Sequence, residues 1–177
     1  MATGVVDQIR TPHVKKWYEE NTKPGFLAEV NKYALGRGYV LDPESGLFFR
    51  SLPSYYKDNY LVTILDGIFP RPVDLHHHLD VDEVITVIAG WGRGVKMADG
   101  ECSDAEPKEY SLVRGSIMYV PSRTNHSFAP QEEKVLEMHL VCSGVLNPED
   151  EVCVKRFDEY GYWKVRETAG KRKKRKP

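Results

Sequence analysis

The sequence predicts an all-β barrel or sandwich with short N-terminal helices, and three observations carry that prediction. From Tyr39 onward, short apolar runs rich in Val, Ile, Tyr and Phe recur between turn residues, which is the pattern of many short strands. No internal repeat appears, and only the end of the chain is low in complexity. The 177 residues, 41% hydrophobic and 11% aromatic, suffice for one packed core and do not describe a mostly disordered chain.

Residues 1–34 form a helical lead-in. The segment HVKKWYEENTKPGFLAEVNKY reads as one or two short helices broken at Lys23-Pro24-Gly25, because proline and glycine together stop a helix. The barrel is expected over residues 35–166, in the runs YVLD, GLFF, NYLVTILDGIF, DEVITVIAG, GRGVKM, YSLV, SIMYV, NHSFA, KVLEMHLVC and EVCVKRF. A basic, disordered tail is expected over 167–177.

The formal charge of -1 hides an uneven distribution. Lys171–Lys176 are all basic, so residues 1–170 hold 19 basic against 26 acidic side chains. The tail resembles a nuclear-localisation or nucleic-acid-binding run, but a solubilising end is the preferred reading, since no aromatic interleaving or basic folded surface accompanies it. Cys102, Cys142 and Cys153 are odd in number, lack CxxC pairing and follow no apolar leader, so a reducing, cytoplasmic setting is expected, with a nuclear one as the alternative. No apolar run reaches the roughly 18–20 residues of a membrane helix. Gly92-Arg93-Gly94 belongs to no phosphate-binding or dinucleotide fingerprint.

The chemistry concentrates in Leu75-His76-His77-His78-Leu79-Asp80-Val81-Asp82-Glu83. On a strand, His76 and His78 project to one face and His77 to the other. A turn through Asp80 and Asp82 then lets Glu83 add a carboxylate to the face of His76 and His78. Imidazole with carboxylate suits Fe(II), Mn(II), Ni(II), Cu(II) or Zn(II) better than Ca(II). A second segment, Gly115 to His126, reads as a turn, a strand, a corner marked by Pro121, and a histidine that opens the next strand and closes the site.

The spacing His76-x-His78-x4-Glu83-x6-Gly90 resembles the first motif of the cupin superfamily, and Gly115-x5-Pro121-x4-His126 resembles the second. The resemblance covers roughly residues 60–142. It implies a double-stranded β-helix, the cupin or jelly-roll barrel, often a homodimer, with one divalent transition metal held by His76, His78, Glu83 and His126. Fe is preferred for that metal, with Mn, Ni, Cu and Zn as alternatives. Three positions depart from the family pattern: Pro70 and Arg123 stand where it has glycine, with Gly67 the nearest substitute for the first, and Pro130 stands where it has asparagine.

Other polar and aromatic residues are weaker candidates. Tyr119 and Arg123 are expected to act on substrate at the mouth, with Arg71, Arg93 and Trp91 as further lining. Ile85, Val87 and Ile117 are expected to line the pocket, and Leu136, Met138 and Leu140, rather than Glu137 and His139, to face inward. The expected function is a metal-dependent enzyme acting on a small organic molecule, most naturally a non-haem dioxygenase-type oxidoreductase, because no lysine or paired-carboxylate base stands beside the motifs. The alternatives are a redox-neutral isomerase or lyase on a sugar or small acid, and a non-catalytic binder.

Overall fold

The structure, a computed structural model, describes residues 4–57, 60–97, 108–145 and 151–155. The expected tail, Cys102 and the barrel residues after Lys155 lie outside the described residues. A 3-10 turn, Val5–Gln8, leads into α1, Pro12–Asn21, and α2, Phe26–Leu35. They meet at the expected break, where Gly25 takes φ 89°.

The rest is strand: β1 (Val40–Leu41), β2 (Phe48–Ser51), β3 (Tyr55–Lys57), β4 (Tyr60–Phe69), β5 (Leu75–His78), β6 (Glu83–Ala89), β7 (Trp91–Lys96), β8 (Lys108–Val113), β9 (Ile117–Val120), β10 (His126–Pro130), β11 (Leu136–Cys142) and β12 (Glu151–Lys155). Every pairing among the described residues is antiparallel. One sheet runs β1-β2-β4-β11-β6-β9 with β3 also on β4, and the other runs β12-β5-β10-β7-β8. Chain neighbours such as β5 and β6 fall in opposite sheets, the crossing pattern of a jelly roll. Among the described residues no helix is long and apolar enough to cross a membrane.

Two apolar clusters follow from strand alternation. Between the sheets pack Phe69, Val81, Ile85, Val87, Leu112, Met118, Val120, Phe128, Leu136, Met138 and Leu140. Each such side chain contributes about 1.5–3 kcal/mol by leaving water. Outside the larger sheet, Phe48 and Ile68 join Val14, Tyr18, Leu27, Val30 and Ala34 of the helices. The helical lead-in therefore covers a sheet face that would otherwise be exposed.

Strand β11 sends Leu136, Met138 and Leu140 inward as expected. Glu137 faces the helices, is 1% exposed, and accepts hydrogen bonds from Tyr33 (3.0 Å), Arg37 (2.9 Å) and Tyr39 (2.7 Å). His139 Nδ1 lies 2.7 Å from the Asp66 carboxylate, which also accepts from Arg50.

Gly90 turns β6 into β7 at φ 81°, and a Cβ there would fall 2.0 Å from the carbonyl oxygen of Val135. Both the backbone angle and the space demand glycine. Gly90→Ala is expected to lower unfolding stability by more than ~2 kcal/mol, measured by urea denaturation of metal-free protein.

Candidate metal centre

Four side chains converge where the two sheets face each other. His76 and His78 lie two residues apart on β5, and His126 on β10 is the cross-strand partner of His76, so three imidazoles stand on the inner face of the smaller sheet. Glu83 opens β6 in the larger sheet and faces them. All four are buried, and one ligand atom from each lies within 4.8 Å of the others. Donors bound to a common ion at about 2.0–2.2 Å fall within such a span. His77 projects outward, with Nδ1 2.8 Å from Asn125 Oδ1.

Hydrogen bonds fix which atoms are presented. His76 Nδ1 is 2.8 Å from the Asp74 carbonyl and His126 Nδ1 is 3.0 Å from that of Thr124. A carbonyl only accepts, so Nδ1 carries the proton and Nε2 offers its lone pair in each neutral ring. Glu83 Oε2 lies 2.9 Å from His126 Nε2 and 3.6 Å from His78 Nε2. Neither Oε2 nor His126 Nε2 has a hydrogen-bond partner among the described residues. Buried polar atoms that approach closely without bonding to each other are aimed at a shared point, which is what a coordinated ion requires.

The electrostatics agree. Burial, reinforced by the charge of His126, pushes the pKa of His76 down to about 3. Burial acts to raise that of Glu83, but the neighbouring imidazoles, His126 foremost, outweigh it and hold the carboxyl down to about 2. Burial acts to lower that of His126, and Glu83 outweighs it and moves it up. A neutral His76 and an anionic Glu83 are the forms that bind a cation. The donor set, imidazole nitrogen with one carboxylate, fits a divalent transition metal.

The turn between β5 and β6 is clamped from three strands. Asp82 accepts from the backbone N–H of Ser122 (2.8 Å) and the hydroxyl of Tyr119 (2.9 Å), which hold its carboxyl below the usual range. Its backbone exchanges bonds with Ser143, 2.8 and 2.9 Å. Arg123 N–H donates to the His78 carbonyl at 2.5 Å, and its Nε donates to that of Leu79 at 3.2 Å.

These contacts place Tyr119 and Arg123 on the outside of the turn, apart from the ligand cluster. Tyr119 is 53% exposed, on the outward-facing row of β9. Ile117 shares that row, is 70% exposed, and lines a cavity together with Tyr119. The run IMYV is apolar on both faces, so its inward row, Met118 and Val120, was not readable from composition. Ile85 and Val87 do line the interior. Arg71 is buried against the carbonyls of Ser45 and Pro72, Arg93 pairs with Glu109 at 3.5 Å, and Trp91 is exposed.

Three residues near the cluster went unnoticed in the sequence because only strand register brings them there. Cys142 is the partner of Glu83 across β11 and β6, and its thiol donates to Glu83 Oε1 at 3.8 Å. Glu151 on β12 is the partner of His78, and Lys96 on β7 is the partner of His126; cross-strand partners share a face. Glu151 keeps contact with solvent, while partial burial of its carboxyl moves its pKa up against the pull of His78 and His126. Lys96 donates to the Tyr119 carbonyl at 3.1 Å beside a cavity of about 270 Å³ that Tyr110, Leu112, Met118 and Tyr119 also line.

The fold and its cluster define the class: the chain has the cupin fold, with a His76-His78-Glu83-His126 cluster able to hold one metal ion. Solved structures bear out the fold. CapF with the inhibitor 3-isopropenyl-tropolone superposes with TM-score 0.51 at 14% identity, over 66% of this chain and 34% of that one. A tyrosine-to-phenylalanine variant of Streptomyces PAC13 with uridine gives 0.51 at 16% identity, over 68% and 87%. The chain thus spans about a third of the CapF chain it matches. No family model and no curated protein matches it by sequence.

His78→Ala and His126→Ala are each expected to abolish bound metal, measured by ICP-MS, while far-UV circular dichroism stays unchanged, because the apolar core supplies most of the stability of a chain this size. His77→Ala is expected to keep its metal content near that of the parent.

Proposed function

We propose that this protein is a metal-dependent enzyme acting on a small organic molecule, with non-haem dioxygenase-type chemistry as the leading reading. The observation that carries it is the convergence of three imidazole nitrogens and one carboxylate oxygen within 4.8 Å in an apolar interior. His76, His78, Glu83 and His126 would hold Fe(II), which would supply the redox chemistry that activates oxygen beside a bound substrate. The chain's own part is to fix the donors and exclude water. His76 and His126 are locked in one tautomer by carbonyls, and Ile85, Met118, Val120 and Phe128 keep the surroundings dry. Tyr119 and Arg123 serve by holding the turn that presents Glu83, with contact to substrate at the lip as a further proposed role.

A redox-neutral isomerase or lyase is the second reading, and Glu151 favours it. This solvent-accessible carboxylate, opposite His78, supplies the base that the sequence motifs lacked, and Lys96 opposite His126 supplies a cation for an acidic substrate. A homodimer is part of the proposal, and the exposed Val84, Ile117 and Tyr119 on the outer face of β6 and β9 offer it an apolar surface.

The test starts with elemental analysis of untagged protein purified without added metal. Anaerobic loading with Fe(II) and admission of oxygen alongside candidate small acids, phenols and sugars then follow, with an oxygen electrode and product chromatography as readouts. The leading reading expects substrate-dependent oxygen uptake that Glu151→Gln changes by less than about tenfold, smaller than the loss typical of removing a general base. Turnover without oxygen, abolished in Glu151→Gln at unchanged metal content, would sink it in favour of the second.

A further inference from the structure

The two oxygens of Glu83 have different surroundings. Oε2 faces His126 Nε2 at 2.9 Å and His78 Nε2 at 3.6 Å, without a hydrogen-bond partner. Oε1 accepts instead from the Cys142 thiol at 3.8 Å. Cys142 is fully buried and is held there by pairing on both sides, with Glu83 across β6 and Thr63 across β4. Val120, the partner of Glu83 on β9, offers no polar group. Among the described residues the thiol is the one hydrogen-bond donor on Oε1.

A carboxylate free to rotate can offer a metal one oxygen or both, and the two modes differ in coordination number and in open positions. A donor fixed on one oxygen biases that choice, because it takes up one of that oxygen's two lone pairs and sets the rotation of the carboxylate. We propose that Cys142 is a positioning residue for the metal centre: its thiol holds Glu83 Oε1 and thereby presents Oε2 as a single-oxygen ligand. Cys142 is not itself one of the converging ligands, since the group whose ligand atoms lie within 4.8 Å of one another is His76, His78, Glu83 and His126. A cysteine buried among apolar neighbours is usually inert filling, and this contact separates it from that role.

The inference rests on the metal-site reading above, and Co(II) is the probe that separates the two. Parent protein and Cys142→Ser, Cys142→Val and Cys142→Ala are compared metal-free for thermal midpoint, then titrated with Co(II) against a competing chelator while the visible d–d spectrum is recorded. Ser keeps a donor; Val keeps the bulk and removes it; Ala removes both. The expected result is a Co(II) affinity about ten- to a hundredfold weaker in Val and Ala, with a changed d–d spectrum, and near-parent affinity and spectrum in Ser. Parent-like affinity and spectrum in Val and Ala overturn the inference. Equal weakening in all three also overturns it, since the sulfur would then act through packing alone. Failure of the parent to bind Co(II) instead overturns the metal-site reading itself.

Discussion

A carboxylate anion buried where two sheets meet is the constraint on which the rest of this structure depends. An isolated carboxylate in such a place would cost far more than the fold has to spare. Glu83 is tolerable because His126 and His78 stand against one oxygen and Cys142 against the other. Each partner comes from a different strand, so the charge is stabilised only when β5, β6, β10 and β11 are all in register. A slip of one residue would turn the inner row of any of them outward. The site and the barrel therefore specify each other.

The same reasoning explains why so much polar structure surrounds one short turn. Residues 79–82 must carry the chain from one sheet to the other and deliver Glu83 at the right height. Asp82 does this by binding the ends of β9 and β11 through Ser122, Tyr119 and Ser143. Arg123 ties the end of β5 to the corner before β10. The ligands are thereby held on rigid elements and oriented by neighbours one layer out, which is the arrangement that precise coordination needs. Tyr119 and Arg123 both bind the turn, through Asp82 and through the Leu79 carbonyl, and Tyr119 also lines the cavity beside Lys96.

The sequence revealed what depends on local spacing and concealed what depends on register. Alternation alone separated His76 and His78 from His77, and the Pro24-Gly25 break placed the two helices. Gly90 was legible through the motif spacing, since its turn admits no side chain. Which row of β9 faces inward was not legible, because a strand apolar on both faces has no readable inner row. Glu137 looked like an alternative inward residue; its partners Tyr33, Arg37 and Tyr39 lie about a hundred residues earlier in the chain, beyond any local pattern. Cys142 and Glu151 share that limitation, since each acquires meaning only from the strand beside it. Long-range pairing is what composition and periodicity do not encode.

Arg123 shows how a motif can lose a residue and keep its geometry. The family pattern has glycine there, and in this structure the position takes φ 62°, the left-handed region. The corner thus keeps the backbone conformation that glycine adopts without strain, at a cost of about 1–2 kcal/mol for a residue with a Cβ. Two contacts offset it: the side chain donates to the Leu79 carbonyl at 3.2 Å and lies 3.8 Å from Asp80. The side chain is 69% exposed, so the ion pair adds little, and the bond to Leu79 is the contact that matters. What the corner requires is a backbone N–H aimed at the His78 carbonyl, which fixes the end of the strand carrying two ligands. Any residue that sustains that angle satisfies it, so the departure at Arg123 leaves the presentation of His78 and His126 intact.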